Sequence, residues 1–370
     1  MAGAISARAA VLRASDQQFR IEDVRLEPPR ADEVLIRLAA TGVCHTDMVM
    51  RDGLLPTPRP VVLGHEGAGV VEAIGSAVTH LAPGDHVVLT FNSCGHCGCC
   101  ASQAPAYCHE FFPRNFAGVR NDGSTPISGE GGAIFGNIFG QSSFATHAIA
   151  HAVNAVKVRR DAPLELLGPL GCGVMTGAGA AINALQVAPG RSFAVFGAGA
   201  VGLSALMAAK AVGAGPLIAV DRNPERVRLA LELGADHAIL VPADDVAERI
   251  IDLTRGGVDL ALDTTGLAAV AGTAARALGQ RGVLGLVGAS PPGEVLPLDM
   301  TAIMSTGRSV RGIVEGDADP HQFIPQLVEL HRDGRFPFDR LVKFYPFDAI
   351  NEAVSDGEAG RTVKPILRMP

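Results

Sequence analysis

The chain has 370 residues, a net charge of −7 with histidine neutral, and seven cysteines. That length implies two domains, each able to bury a core. The acidic balance offers no basic field for nucleic acid, and the first seventeen residues show no long apolar core before their charges, so neither a signal peptide nor disulfide chemistry is expected and the cytoplasm is the expected compartment.

Taken in order, residues 5–90 read as β-rich. ARAAVL (7–12), FRIEDVRLE (19–27) and EVLIRLAATGV (33–43) are short apolar or alternating runs, punctuated by Pro28-Pro29 and Gly42. PVVLGHEGAGVVEAIG and GDHVVL add further short strands joined by Gly and by Pro83-Gly84-Asp85. Many short strands with such turns suggest a small, partly open β-barrel. Cys44 follows the third strand in GVCHTD, His65 and Glu66 sit among the glycines of GHEGAG, and Cys172 stands far away in GPLGCGVMTGAG. Singly, each such Cys or His is more often a core residue. Together, two Cys and one His make a zinc site with its fourth position open, the arrangement suited to catalysis.

Residues 91–108, FNSCGHCGCCASQAPAYC, set Cys94, Cys97, Cys100 and Cys108 at spacing C-x2-C-x2-C-x7-C. Four thiolates on tight loops can converge on one ion while backbone amides stabilise their charge, which predicts a closed, structural zinc. Cys99 has no assignment. Between 91 and 144 lie seven phenylalanines. Ordinary core packing and an apolar, partly aromatic substrate cleft both account for them.

From about residue 174 to 313 the pattern alternates strands with helical segments. The strands are 192–199, 216–221, 237–241, 258–266 and 283–290, and AVGLSALMAAKAVGA and PERVRLALELGA read as helices. This alternation implies a parallel sheet with crossover helices. Gly197, Gly199 and Gly202 form G-x-G-x-x-G directly after an apolar strand and at the start of an apolar helix, the context of a dinucleotide site. Gly197 makes the tight turn, Gly199 lets the backbone approach the pyrophosphate, and Gly202 lets helix and strand pack closely. Asp221 ends the next strand, placed to accept hydrogen bonds from the ribose hydroxyls and to repel a 2′-phosphate, which favours NAD; a turn or capping role is the plainer alternative. VLPLDMTAIM (295–304) reads as an edge strand and helix start. FDAINEAVSDGEAG carries apolar residues at helical spacing, and TVKPIL closes as a strand. The uncharged runs 166–190 and 192–209 contain prolines or a glycine turn, so neither reads as a membrane span.

The motifs GVCHTD, VLGHEGAGVV, CGHCGCC…C, GCGVMTG and GAGAVG occur in the order found in the zinc-containing alcohol dehydrogenases of the medium-chain dehydrogenase/reductase superfamily, which the chain resembles over essentially its whole length. NFAGVRNDGST and GQSSFATH look like the aryl-alcohol (benzyl alcohol) branch. The resemblance implies an α/β plus β-rich chain. A GroES-like, partly open β-barrel catalytic domain would span 1–173 and 314–370, with a structural-zinc lobe at about 91–110. A Rossmann doubly wound cofactor domain would span 174–313. It implies a reversible, NAD-dependent oxidation of a primary, aryl or allylic alcohol to the aldehyde, with aliphatic alcohol or glutathione-dependent formaldehyde oxidation as the alternative and a non-catalytic protein on this fold as a remote one. Two zinc ions per chain are implied, one on Cys44, His65 and Cys172 and one on the four clustered cysteines. Glu66 would lie behind or beside the catalytic zinc. Asp47 would orient His65, and Thr46 would hydrogen-bond the alcohol and begin a proton relay. Thr176 and Val201 would pack against the nicotinamide, and His45, Arg226 and Lys364 would contact the cofactor's phosphates or ribose. The well-known animal and yeast enzymes end that relay at a His three residues after the hydroxyl. Here that position is Val49. A homodimer or a tetramer built from dimers is expected, because relatives pair edge strands across a two-fold axis.

Overall fold

The computed structural model describes residues 3–13 and 18–370. These divide into two compact units. The first comprises the described residues up to 172 with 319–329 and 339–370, and the second residues 173–318 and 330–338.

The first unit holds two sheets. A 5-stranded sheet runs in the order Val61–Val62, Ile5–Leu12, Phe19–Leu26, Ile127–Gly129, Gly132–Ile134. A 7-stranded sheet runs Ala155–Val158, His86–Leu89, Glu66–Ile74, Glu33–Gly42, Lys364–Arg368, Val342–Pro346, with His147–His151 also on Glu33–Gly42. Strand Glu33–Gly42 is the spine of this sheet. Its Val34, Ile36 and Leu38 are buried against Val71, Val87, Leu89 and Ala148, while Arg37 points out. The ladder between Glu33–Gly42 and Glu66–Ile74 slips twice, between Leu35 and Ile36 and between Leu38 and Ala40. Such bulges bend and twist a strand, which lets a short sheet curl. The same register pairs Gly42 with Glu66 and Gly42 with Ile366. Three distant stretches therefore end side by side: the exit toward Cys44, the approach from His65, and the strand that begins with Lys364.

The second unit is a 6-stranded sheet in the order His237–Leu240, Leu217–Asp221, Phe193–Phe196, Val258–Asp263, Leu278–Leu286, Ser309–Gly312. All its neighbours run parallel. Numbered along the chain this is 3-2-1-4-5-6, the doubly wound order whose reversal point lies beside the first strand. Its core packs Ala194, Phe196, Ile218, Val220, Ile239, Ile250, Ala261 and Leu284 from strands and crossover helices. Helix Pro224–Leu233 starts with Asn223 accepting from the Glu225 amide and ends at Gly234 with φ +108, a left-handed cap that glycine adopts without strain.

Two expectations need correction. Residues 295–299 form no strand. Pro297 has no amide to donate to a ladder, and Asp299 caps helix Met300–Thr306 by accepting from the Ala302 amide. The outermost strand is Ser309–Gly312 instead. The fifth parallel strand covers Leu278–Leu286 rather than 283–290. Among the described residues no single helix is long and apolar enough to cross a membrane.

Candidate metal centre and dinucleotide turn

The buried site in the first unit grows from the paired strand ends. Cys44 precedes helix His45–Arg51, and His65 precedes strand Glu66–Ile74. Cys172 is delivered by a turn whose glycines are demanded by close approach. A Cβ on Gly168 would lie 2.2 Å from the Glu66 carbonyl oxygen, and one on Gly171 would lie 1.9 Å from that of Leu89. The Thr90 hydroxyl donates to the Gly171 carbonyl at 2.8 Å and anchors that turn. The result gathers Cys44, His65, Glu66 and Cys172, with one ligand atom from each within 4.8 Å of all the others.

Asp47, fully buried, organises the site. One carboxylate oxygen accepts from the Cys44 amide at 3.0 Å. The other accepts from the Gly64 amide at 3.1 Å and binds His65 Nδ1 at 3.0 Å. A carboxylate only accepts, so Nδ1 carries the hydrogen and Nε2 keeps its lone pair. That Nε2 is buried and has no hydrogen-bond partner. A buried acceptor left unmatched is costly in an apolar interior, and a cation among two thiols and this nitrogen removes the cost. The donor set of two sulfurs and one imidazole suits zinc. The Cys44 thiol is held well below its usual range by its hydrogen bond with Cys172, against burial, with help from the charge of Lys364. Such a shift favours the thiolate that a metal requires.

Glu66 is fully buried, and Lys364 Nζ meets both of its oxygens at 2.9 Å. Burial raises the Glu66 carboxyl, and the Lys364 charge counters it. Lys364 is 3% exposed, pairs with Glu66, and donates also to the Val43 carbonyl. The sequence carried no signal for this pair, which exists only because Gly42 sits between the two strands. Glu66 itself contributes an oxygen to the same group. Thr46 is half-buried, its hydroxyl 3.9 Å from the Cys44 sulfur. His45 is exposed, and Val49 is half-buried.

The second cluster is local. Cys94, Cys97, Cys100 and Cys108 bring their sulfurs within 4.8 Å of one another. Cys94 and Cys100 are separated by 3.8 Å and Cys97 and Cys100 by 3.6 Å. A tetrahedron with metal–sulfur bonds of about 2.3 Å has edges of about 3.8 Å, whereas a disulfide needs about 2.05 Å. Backbone amides of Cys94, Cys97 and Glu110 point at these sulfurs from 3.2 to 3.4 Å. Amides of His109 and Cys100 bring the Cys97 thiol down to about 6, while burial pushes Cys100 up to about 12. All four ionise together only around a cation. Cys99 is half-buried and outside this group.

In the second unit, Gly197 takes φ +95, and a Cβ on Gly202 would fall 1.9 Å from the Gly197 carbonyl oxygen. Gly199 caps helix Ala200–Ala211, so free amides of the first turn face outward from the strand end. Asp221 is buried and accepts from the Ala198 amide at 2.6 Å and the Asn223 amide at 2.8 Å. It ties the glycine turn to the next loop, so the turn-residue role is present whatever else it does. Arg226 reaches back over the turn, with one guanidinium nitrogen 3.6 Å from where a Gly199 Cβ would stand, and its Nε is buried without a partner. Thr176 donates to Glu315 at 3.1 Å. Its neighbour Gly177 lies so close to the Val201 carbonyl that a Cβ would be 2.0 Å away. Thr176 and Val201 thus share a neighbourhood beside the turn.

Protein-family models match two segments: alcohol dehydrogenase GroES-like domain over residues 30–160 and zinc-binding dehydrogenase over residues 200–331. The chain is 52% identical over 365 residues to geraniol dehydrogenase of Castellaniella defragrans, covering 98% of each. Among solved structures, an alcohol dehydrogenase zinc-binding domain protein from Burkholderia ambifaria superposes with a TM-score of 0.98 at 55% identity, covering 100% of both chains. Benzyl alcohol dehydrogenase from Acinetobacter calcoaceticus superposes with a TM-score of 0.96 at 47% identity, covering 99% of this chain and 100% of that one.

Proposed function

The chain belongs to the zinc-containing alcohol dehydrogenases of the medium-chain dehydrogenase/reductase superfamily, and from that premise we propose that it interconverts primary aryl or allylic alcohols and their aldehydes with NAD. The observation that carries the reading is the buried group of Cys44, His65 and Cys172 with an unmatched imidazole nitrogen. Geraniol is allylic and benzyl alcohol is aryl, so the relatives named for them both act on a hydroxyl-bearing carbon next to a π system.

In this reading Cys44, Cys172 and His65 Nε2 hold a catalytic zinc, and Cys94, Cys97, Cys100 and Cys108 hold a structural one. A zinc bound at the first position supplies a Lewis acid that acidifies a hydroxyl, as it takes bound water from about 15.7 to about 7. Asp47 keeps the His65 tautomer and ring direction. The Glu66–Lys364 pair places a balanced, rather than a bare, carboxylate beside the thiolates. Thr46 accepts the alcohol's proton at its hydroxyl and passes it on. Val49 has no group that can take it further; a bound nicotinamide nucleotide would supply a ribose hydroxyl for the next transfer. The alcohol carbon gives up a hydride, its oxygen gives up a proton, and the aldehyde remains; the nicotinamide is the hydride acceptor. The Gly197–Gly202 turn would hold the pyrophosphate, Asp221 would accept from the adenosine ribose hydroxyls, and Arg226 would flank that ribose. His45, Thr176 and Val201 complete the cofactor contacts. Residues 1–173 and 314–370 act as the catalytic domain and 174–313 as the cofactor domain.

Exposed Val295, Met300 and Met304 near the outermost strand Ser309–Gly312 support self-association as a dimer or a tetramer of dimers. Light scattering at micromolar concentration tests this, with a monomer as the failing result. The central experiment follows reduced-cofactor absorbance across benzyl alcohol, geraniol, ethanol, longer aliphatic alcohols and hydroxymethylglutathione, each with NAD and NADP. The aryl and allylic alcohols with NAD should give the highest kcat/KM. A preference for ethanol or for hydroxymethylglutathione would replace the proposed substrate class.

A further inference from the structure

Residues 137–144, which contain most of the GQSSFATH run, pack on the segment that carries His65 but have no role in the chemistry above. Phe139, Gly140 and Ser142 take φ of +51, +62 and +52. Bulky residues avoid that region, and where it persists the surroundings over-determine it. Here the surroundings are explicit. Ser142 Oγ accepts from the Ile138 amide at 3.0 Å and donates to the Val62 carbonyl at 2.7 Å. Asn154 donates to the Phe139 carbonyl at 2.8 Å. The Ser143 amide reaches the Gly64 carbonyl at 2.9 Å. Gln141, buried, spans the ligand's main chain by donating to the His65 carbonyl at 2.9 Å and accepting from the Gly67 amide at 3.1 Å.

This segment lays the Phe139 ring on the His65 imidazole, with centroids 4.5 Å apart and planes 24° apart. Phe139 also meets Phe116 edge-on at 5.1 Å and Phe111 at 6.5 Å. Phe111 packs on Phe91 at 5.7 Å, and its amide donates to the carbonyl of Cys108 at 2.9 Å. A path of touching rings thus runs from the four-cysteine lobe to the buried histidine. The bond from Nδ1 to Asp47 directs the imidazole but leaves its plane free to swing about that line. A flat ring against one face stops the swing.

We propose that Phe139 is a positioning residue that fixes the plane of His65 so that Nε2 faces the Cys44 and Cys172 sulfurs, and that the four-cysteine lobe holds Phe139 in place through Phe116 and Phe111. The proposal rests on His65 being a metal ligand. It is tested in the full-length protein carrying zinc in the lobe and Co(II) at the buried site, whose visible absorption reports ligand geometry. Phe139→Leu, and Phe139→Met should the first not fold, keep an apolar side chain but remove the flat face. Each should weaken Co(II) binding by about tenfold, the low end of what loss of a supporting contact costs. Each should also change the Co(II) absorption bands while the lobe keeps its zinc. Phe116→Leu should do the same to a smaller degree. Wild-type protein that takes up no Co(II) at His65 would overturn the zinc reading itself. Wild-type affinity and spectrum in both Phe139 variants would overturn the positioning role alone. An altered Phe139→Leu beside an unaltered Phe116→Leu would overturn the part assigned to the lobe.

Discussion

The two candidate metal clusters both use cysteine sulfurs, one alone and one with an imidazole, and are assembled by opposite routes. The four-cysteine lobe lies within residues 94–108. Its support is main-chain amides of its own loop, and three of its four cysteines are only half-buried. The Cys44, His65 and Cys172 cluster draws on three distant segments, is held by side chains, and is closed off from water at His65, Glu66 and Asp47. A local loop supplies amides cheaply and needs no partner elsewhere. A site that must keep one position open for chemistry cannot surround its ion with its own turn, so the remaining support has to come from other elements.

Changing single residues in each cluster sharpens that contrast. Cys44→Ala should have the largest effect: turnover is lost, one metal per chain disappears, and the thermal midpoint moves little. Turnover and zinc content are read on the same sample, and wild-type rates in a folded variant would end the zinc mechanism. Glu66→Gln leaves the Lys364 ammonium buried without its charge partner, and loss of one member of a buried pair costs about 3–5 kcal/mol. Urea unfolding should show a loss in that range, with the double variant Glu66→Gln/Lys364→Met recovering much of it. No recovery in the double variant would mean that the pair is needed for something other than mutual neutralisation. Asp47→Asn keeps the shape but removes the charge behind His65, so affinity for the catalytic metal should fall about 10- to 100-fold. Chelator competition measures this, and an unchanged constant would show that the ring needs no anionic anchor. Cys97→Ala should have the smallest effect on turnover per folded molecule. It should remove the other metal and lower the thermal midpoint, because a structural zinc contributes directly to folding. Complete loss of activity in folded Cys97→Ala protein would erase the distinction between the clusters.

The two clusters also differ in how far they could be read before folding. C-x2-C-x2-C-x7-C fixes its own geometry, because ligands two residues apart on a turning loop have few ways to point elsewhere. The glycine turn after Phe193–Phe196 was readable for the same reason: strand, turn and helix start are consecutive, and a Cβ on Gly202 has no room. Cys44, His65 and Cys172 were grouped by donor chemistry and by resemblance, since nothing in their spacing says that Gly42 pairs with Glu66. The pairing of Lys364 with Glu66 was not legible, because the ladder that buries Lys364 joins residue 366 to residue 42. Residues 295–299 look like a strand because Val295, Leu296 and Leu298 are apolar, but Pro297 has no amide for a ladder. Phe139 and Gln141 lay in runs already noticed, but nothing in those runs told a ring stacked on a ligand from a ring in a core.

Alone, the order of residues determined what is short-range: strand and helix alternation, the glycine turn, and the local thiolate loop, because these depend on contacts between near neighbours. Tertiary structure decided which carboxylate orients the histidine, that Lys364 belongs to Glu66, and that Phe139 covers the imidazole. Those pairings follow from strand register and from where the barrel curls, and one residue of slip would send the same side chains to the other face.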